Sequence, residues 1–179
     1  MLAIERKWYQ IYTKSNCEKK LYKKITQLGL EAFLPIREFK KQWSDRVKVI
    51  EEPAFKSYMF VKLYSDEMRK VERFSEFCFF VAYGNNRTKN QKESTHFFPQ
   101  ISDQTINTIE KVLASFPEAE LQQKKFQKGE RITISSGGLS GYQGILIESP
   151  TGKKVVVELE GLEQSLLITV PLSLLKQVA

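Results

Sequence analysis

Between residues 55 and 64 the chain alternates with a period of two. Phe55, Ser57, Met59, Val61 and Leu63 share one face of a strand, and Lys56, Tyr58, Phe60, Lys62 and Tyr64 share the other. The first set suits a dry core. The second interleaves ammonium groups with aromatic rings, which bury apolar area against a partner while their polar tips stay hydrated, so it reads as a partly exposed binding surface. A core reading stands beside it, because most strand aromatics fill interiors. Bond-making chemistry has less to work with. His96 is the single histidine; Asp103 would complete a Ser-His-Asp set, yet nothing supplies the strained nucleophile turn such chemistry uses. The glycines after Ser136 lack the Lys-Ser or Lys-Thr of a phosphate loop and lead into a strand. Cys17 and Cys78 are far apart with no His or Cys cluster, so two buried free thiols are expected, with neither zinc nor disulfide. The expectation is a non-enzyme with no catalytic residue, metal or cofactor.

The 179 residues leave room for one domain or two small ones. A formal charge of +7 and a pI near 9.3 favour a polyanion or an acidic protein surface as partner, and most of the excess lies before Gln123. The first residues form no apolar signal core, and no later run approaches the about 20 apolar residues that cross a bilayer. A soluble, cytoplasmic protein with no membrane contact is expected.

The elements that must position the aromatic face follow from local patterns. Residues 8–13 read as a central strand, and Ser15 to Glu18 has the spacing of a capping box opening a helix. Cys17, Leu21, Ile25 and Leu28 give that helix one apolar stripe, Glu18, Lys19, Lys20, Lys23 and Lys24 face away, and Gly29 ends it. Residues 31–36 read as a strand, and residues 39–50 as a basic hairpin arm turning near Ser44 and Asp45, with Lys40, Lys41, Arg46 and Lys48 in no evident buried role. Ser65 is placed to cap a short helix with Met68 and Val71 inward, and residues 77–83 read as an ordinary core strand. Residues 84–95 read as a polar loop, and Ser102 as the cap of a helix with Ile106, Ile109, Leu113 and Phe116 on one stripe. This order predicts an α+β fold, a split βαβ unit with one antiparallel sheet and flanking helices.

Residues 117–125 read as a linker between a domain of residues 1–116 and one of residues 126–179. The second carries only strand signal, over residues 131–135, 142–148, 154–159 and 166–170 and near Leu174, which predicts a small β-barrel. Gly137, Gly138, Gly141 and Gly144 supply the positive-φ or close-approach positions of its first turn.

The stretch Phe-Gln-Lys-Gly-Glu-Arg-Ile-Thr-Ile from Phe126, with its glycine turn, resembles a KOW module. Lys7-Trp8-Tyr9-Gln10-Ile11-Tyr12-Thr13, residues 53–61 and residues 98–103 resemble the NGN domain of the NusG family of transcription factors, in the family's order. The ending Gln164-Ser165-Leu166-Leu167-Ile168-Thr169-Val170-Pro171 is similar to the UpxY-type antiterminators of Bacteroidetes, which act on surface-polysaccharide operons. The resemblance implies transcription elongation and antitermination, with RNA polymerase bound at its clamp coiled coil and pausing suppressed. It implies that Tyr12, Phe55, Tyr58, Phe60 and Tyr83 bind the polymerase, and that Lys14, Arg69 and Lys70 lie near non-template DNA. It further implies Rho or a small-subunit ribosomal protein as partner of the KOW domain. Two departures stand out: Lys56-Ser57 replaces the family's Pro-Gly, and Gly137-Gly138-Leu139 its Gly-Pro-Phe. The alternative is a KOW-containing RNA-binding or ribosome-associated protein, whose RNA affinity would fall steeply with salt.

Overall fold

The computed structural model describes residues 5–43, 45–82, 98–117, 119–122, 129–135, 140–149, 152–158, 162, 165–168 and 175–177. β1 (Lys7–Thr13) is followed by α1 (Glu18–Gln27), β2 (Glu31–Phe33), β3 (Ile36–Gln42), β4 (Val47–Pro53) and β5 (Tyr58–Leu63). A 3-10 turn at Ser65–Glu67 leads into α2 (Met68–Glu72), then β6 (Phe77–Phe80) and α3 (Asp103–Ser115). β7 (Glu120–Gln122), β8 (Glu130–Ile134), β9 (Gln143–Ser149), β10 (Gly152–Glu158), β11 (Ser165–Ile168) and β12 (Leu175–Gln177) follow. The chain clusters into two compact units, Met1–Leu34 with Phe55–Asp103 and Pro35–Ala54 with Gln104–Ala179.

The first unit is a four-stranded antiparallel sheet in the order β2-β5-β1-β6. Its core face carries Tyr9 and Ile11 from β1 and Met59, Val61 and Leu63 from β5, covered by Leu21 and Ile25 of α1 and Val71 of α2. The alternation predicted for residues 55–63 therefore holds for Met59, Val61 and Leu63, whereas Phe55 and Ser57 precede β5 and lie outside this cluster, Phe55 packing on Phe60 instead. A bulge interrupts the outer pairing: Ile11 faces Phe80 and Tyr12 faces Phe79, but Thr13 faces Phe77, leaving Cys78 as the extra residue. Phe77 and Phe80 turn to the core as a result, and Cys78 is exposed rather than buried as expected.

Several local expectations are corrected. Ser15 caps nothing in the described structure; α1 begins at Glu18 behind Cys17, without a side-chain cap. Glu18 does not face away but is buried, with its carboxylate engaged by the backbone of Ser57. Leu28 leaves the stripe and is 52% exposed, because it is the C-cap residue and Gly29 at φ +75° turns the chain, so Leu30 reaches the core instead. Ser65 is not the cap of the next helix; the backbone N–H of Tyr64 donates to Glu67 Oε2 at 3.1 Å.

The second unit contains the β3–β4 ribbon and a six-stranded sheet in the order β12-β8-β9-β10-β11-β7, every neighbouring pair antiparallel. Ile132, Ile134, Val155, Val156, Val157, Leu166 and Ile168 are its buried side chains. The order is open: β7 and β12 are its two edges among the described residues, where a closed barrel was expected. Part of the stretch read as linker is strand, since Leu121 of β7 pairs with Leu166 of β11. Gly141 sits at φ +87°, and a Cβ on Gly144 would stand 2.8 Å from the Val156 carbonyl oxygen, so both glycine roles predicted for this turn are present. Gly137 and Gly138 lie outside the described residues. The α3 stripe buries Ile106, Ile109 and Leu113, as its spacing predicts.

Candidate functional site

The sheet face opposite the core carries a continuous row of three rings. Tyr12 of β1 stands in register with Tyr58 of β5 on one side and with Phe79 of β6 on the other. The Tyr12 and Tyr58 rings meet edge to face at 5.0 Å, and the Tyr12 and Phe79 rings stack at 4.9 Å with 10° between their planes. Both tyrosines are half-buried and Phe79 is 39% exposed. Lys14 and Lys56, two residues along the chain from Tyr12 and Tyr58, are exposed. Such a row offers flat apolar area with hydroxyl groups and a cationic rim, a surface suited to a protruding protein element.

Two carboxylates hold the row from below. Glu18 Oε1 accepts the Ser57 N–H at 2.7 Å, and the Ser57 carbonyl accepts the Thr13 N–H at 2.8 Å. Ser57 is at φ +64°, the left-handed region that favours glycine, so its hydrogen bonds fix a turn its side chain disfavours. The turn residue Ser57 immediately precedes Tyr58 and thereby sets where that ring stands. At the other end, the Glu76 carbonyl accepts the Lys14 N–H at 2.9 Å, and its buried carboxylate takes the ammonium groups of Lys20 and Lys24, each at 2.8 Å. Those hydrogen bonds, Lys20 first, hold the Glu76 carboxyl at about 2, below its ordinary 4.5. Lys20 and Lys24 are thus paired side chains, where the sequence reading had a solvated face. Across the sheet, Asp103 Oδ1 accepts from Lys62 Nζ at 2.7 Å and Trp8 Nε1 at 2.8 Å, and this pair of donors lowers its carboxyl. Asp103 is thereby tied to both β1 and β5.

Residues 6–110 match the family described as "Transcription termination factor nusG". That span is more than half of the chain. The chain belongs to the NusG family. Among solved structures, that of Thermotoga maritima NusG, a study of domain interaction, covers 99% of this chain and 99% of its own at 22% identity and a TM-score of 0.57. This likeness is one of fold. The MjSpt4:Spt5 complex in conformation B aligns over 96% of this chain and 97% of its own, at 14% identity and a TM-score of 0.31, too low to add to it. No curated protein matches the chain in sequence.

The positions that the NusG resemblance picks out divide sharply. Tyr12 and Tyr58 come together in the exposed row. Phe55 and Phe60 do not: Phe60 is fully buried, stacked against Phe33 at 5.9 Å and edge to face with Phe55 at 6.2 Å. The expected exposure of Phe60 is corrected, since β2 lies alongside β5 and brings Phe33 over Phe60, and Phe55 is likewise buried. Tyr83 lies outside the described residues. Lys14 is exposed beside the row, whereas Arg69 and Lys70 are on α2, whose Val71 packs under the opposite, core face. Lys70 also pairs with Glu67 at 3.1 Å. Phe79 was missed because Phe77-Cys78-Phe79-Phe80 carries no alternation; pairing with Tyr12 decides which ring faces out, and that signal is not local.

Proposed function

We propose that this NusG-family chain is a transcription elongation and antitermination factor that docks on the RNA polymerase clamp coiled coil through Tyr58, Tyr12 and Phe79. The observation that carries the reading is the three-strand aromatic row, braced from beneath and rimmed by Lys14 and Lys56. A helical tip laid on the row would exclude water from three rings at once, while both tyrosine hydroxyls keep polar partners at the rim. Tethering the clamp in its closed state would lower the population of paused complexes, because a ligand with higher affinity for one state shifts the equilibrium toward it. The six-stranded sheet, with its glycine turn and KOW-like sequence, is the module proposed to recruit a second partner, Rho or a small-subunit ribosomal protein. The UpxY-like ending supports action at particular operons, with surface polysaccharide as the candidate product class.

The test is binding of the full chain to bacterial core RNA polymerase, with and without the clamp coiled-coil tip. Tyr58→Ala is expected to weaken binding by roughly ten-fold or more, the range of an aromatic anchor, while circular dichroism stays unchanged. Equal affinity for the two chains, or for polymerase lacking the tip, removes the site assignment.

A further inference from the structure

The β3–β4 ribbon has a composition that its own stability does not explain. Its seven register pairs run from Ile36 opposite Pro53 to Gln42 opposite Val47, and the Trp43 N–H donates to the Arg46 carbonyl at 2.8 Å to close the end. Trp43 is 53% exposed, and Val47 and Val49 are 56% and 55% exposed. The base of the ribbon is acidic, with Arg37 paired to Glu52 and Glu38 opposite Glu51 in register. The distal half has the opposite sign: residues 40–49 contain Lys40, Lys41, Arg46 and Lys48 against the single acid Asp45. Lys41 and Lys48 occupy directly opposed register positions, an arrangement of like charge that weakens a ladder. Asp45 does little to neutralise the end, as its carboxylate lies 3.9 Å from an Arg46 side chain that is 75% exposed.

We propose that this end of the ribbon binds single-stranded polynucleotide, with Trp43 as the stacking platform and Arg46 and Lys48 as phosphate contacts. An exposed indole among cations matches the chemistry of an unstacked base on its phosphate chain, where the ring takes the base face and the cations track the backbone. Duplex fits less well. A ribbon in a major groove reads base edges with polar side chains, whereas Trp43, Val47 and Val49 present carbon. An acidic protein would satisfy the cations and leave the indole in water. The proposal does not depend on polymerase docking, since its residues are none of those in the aromatic row.

The experiment titrates the full chain with oligothymidylate, oligouridylate and a mixed duplex, each of about 12 nucleotides, spanning one such site. Trp8 is buried with its indole N–H on Asp103, so Trp43 is the solvent-facing fluorophore of the two tryptophans. Saturable quenching by the single strands is expected, and Trp43→Phe should abolish the fluorescence response while anisotropy still reports binding. Trp43→Ala should weaken binding roughly 5- to 100-fold, the range for loss of one stacked base. Replacing Arg46 and Lys48 together by Gln should lower the slope of log affinity against log salt by roughly 1.4, two phosphates at 0.7 each on single strands. The ratio of oligouridylate to oligothymidylate affinity distinguishes RNA from DNA as the source of the strand. Tighter binding to duplex than to either single strand, an unchanged affinity in Trp43→Ala, or no salt-dependent binding would each overturn the proposal.

Discussion

Two aromatic clusters share one face of the four-stranded sheet and meet opposite fates. At one end, Phe33 and Phe55 each pack on Phe60, and Phe60 is sealed from solvent. At the other, Tyr58, Tyr12 and Phe79 form an equally continuous set of ring contacts and stay open. Ring-to-ring contact is therefore no guide to burial; what covers the rings decides. The buried cluster contributes to stability through excluded water, and the open one leaves its apolar area at the surface.

The largest expected break in this symmetry comes from truncating one ring in each cluster. Phe60→Ala should cost about 3–5 kcal/mol in urea unfolding, as deletion of a buried ring does. Phe79→Ala should fall within about 0.5 kcal/mol of the parent, as exposed substitutions do. Comparable losses for the two would mean that Phe79 is part of the core.

An acid titration sharpens the contrast at a smaller scale. The folded Glu76 carboxyl is held at about 2 against an ordinary 4.5. Its contribution is complete above the unfolded value and declines as pH falls from about 4.5 through about 2. Melting temperature should therefore drop across that window, and Glu76→Gln should flatten the part of the drop due to this group. A mutant curve parallel to the parent's over the whole window would exclude Glu76 as the acid-sensitive brace.

The smallest effect is expected at the turn before Tyr58. Ser57→Gly relaxes a left-handed backbone and should stabilise the chain by up to about 1 kcal/mol, offset in part by the greater freedom of the unfolded glycine chain. Since the Ser57 N–H and carbonyl are retained, polymerase affinity should stay within two-fold by the same argument. A loss of stability would show that the Ser57 side chain, and not only its backbone, holds the turn.

Much of this architecture was readable in the residues. Period-two alternation located β5 and its core face, and the run of strands after residue 130 followed from glycines and branched side chains. The departures share a cause: a side chain's local role is overruled by a distant partner. Ser15 and Glu18 have capping-box spacing, yet Glu18 is drawn to a turn 39 residues away. Lys20 and Lys24 look like a solvated helix face until Glu76, beyond two further strands of the same sheet, pairs with both. Phe60 looks like its neighbours Tyr58 and Lys62, and only the register of β2 tells it apart. Within the candidate site, Tyr12 and Tyr58 were legible through alternation and family likeness, while Phe79 required knowledge of the outer strand pairing.

The bulge at Cys78 gives that outer pairing an evolutionary arithmetic. Phe79 joins the row through its own pairing with Tyr12, and the extra residue decides only that Phe77, three positions before Phe80, shares the core side with it. Deleting Cys78 would remove the extra residue and let Phe77, Phe79 and Phe80 follow one another opposite Thr13, Tyr12 and Ile11, so the same ring would stay outward on a regular ladder. A lineage can thus gain or lose the bulge by a single codon insertion or deletion and keep the third member of this surface, while an alignment scored residue by residue would register only a gap.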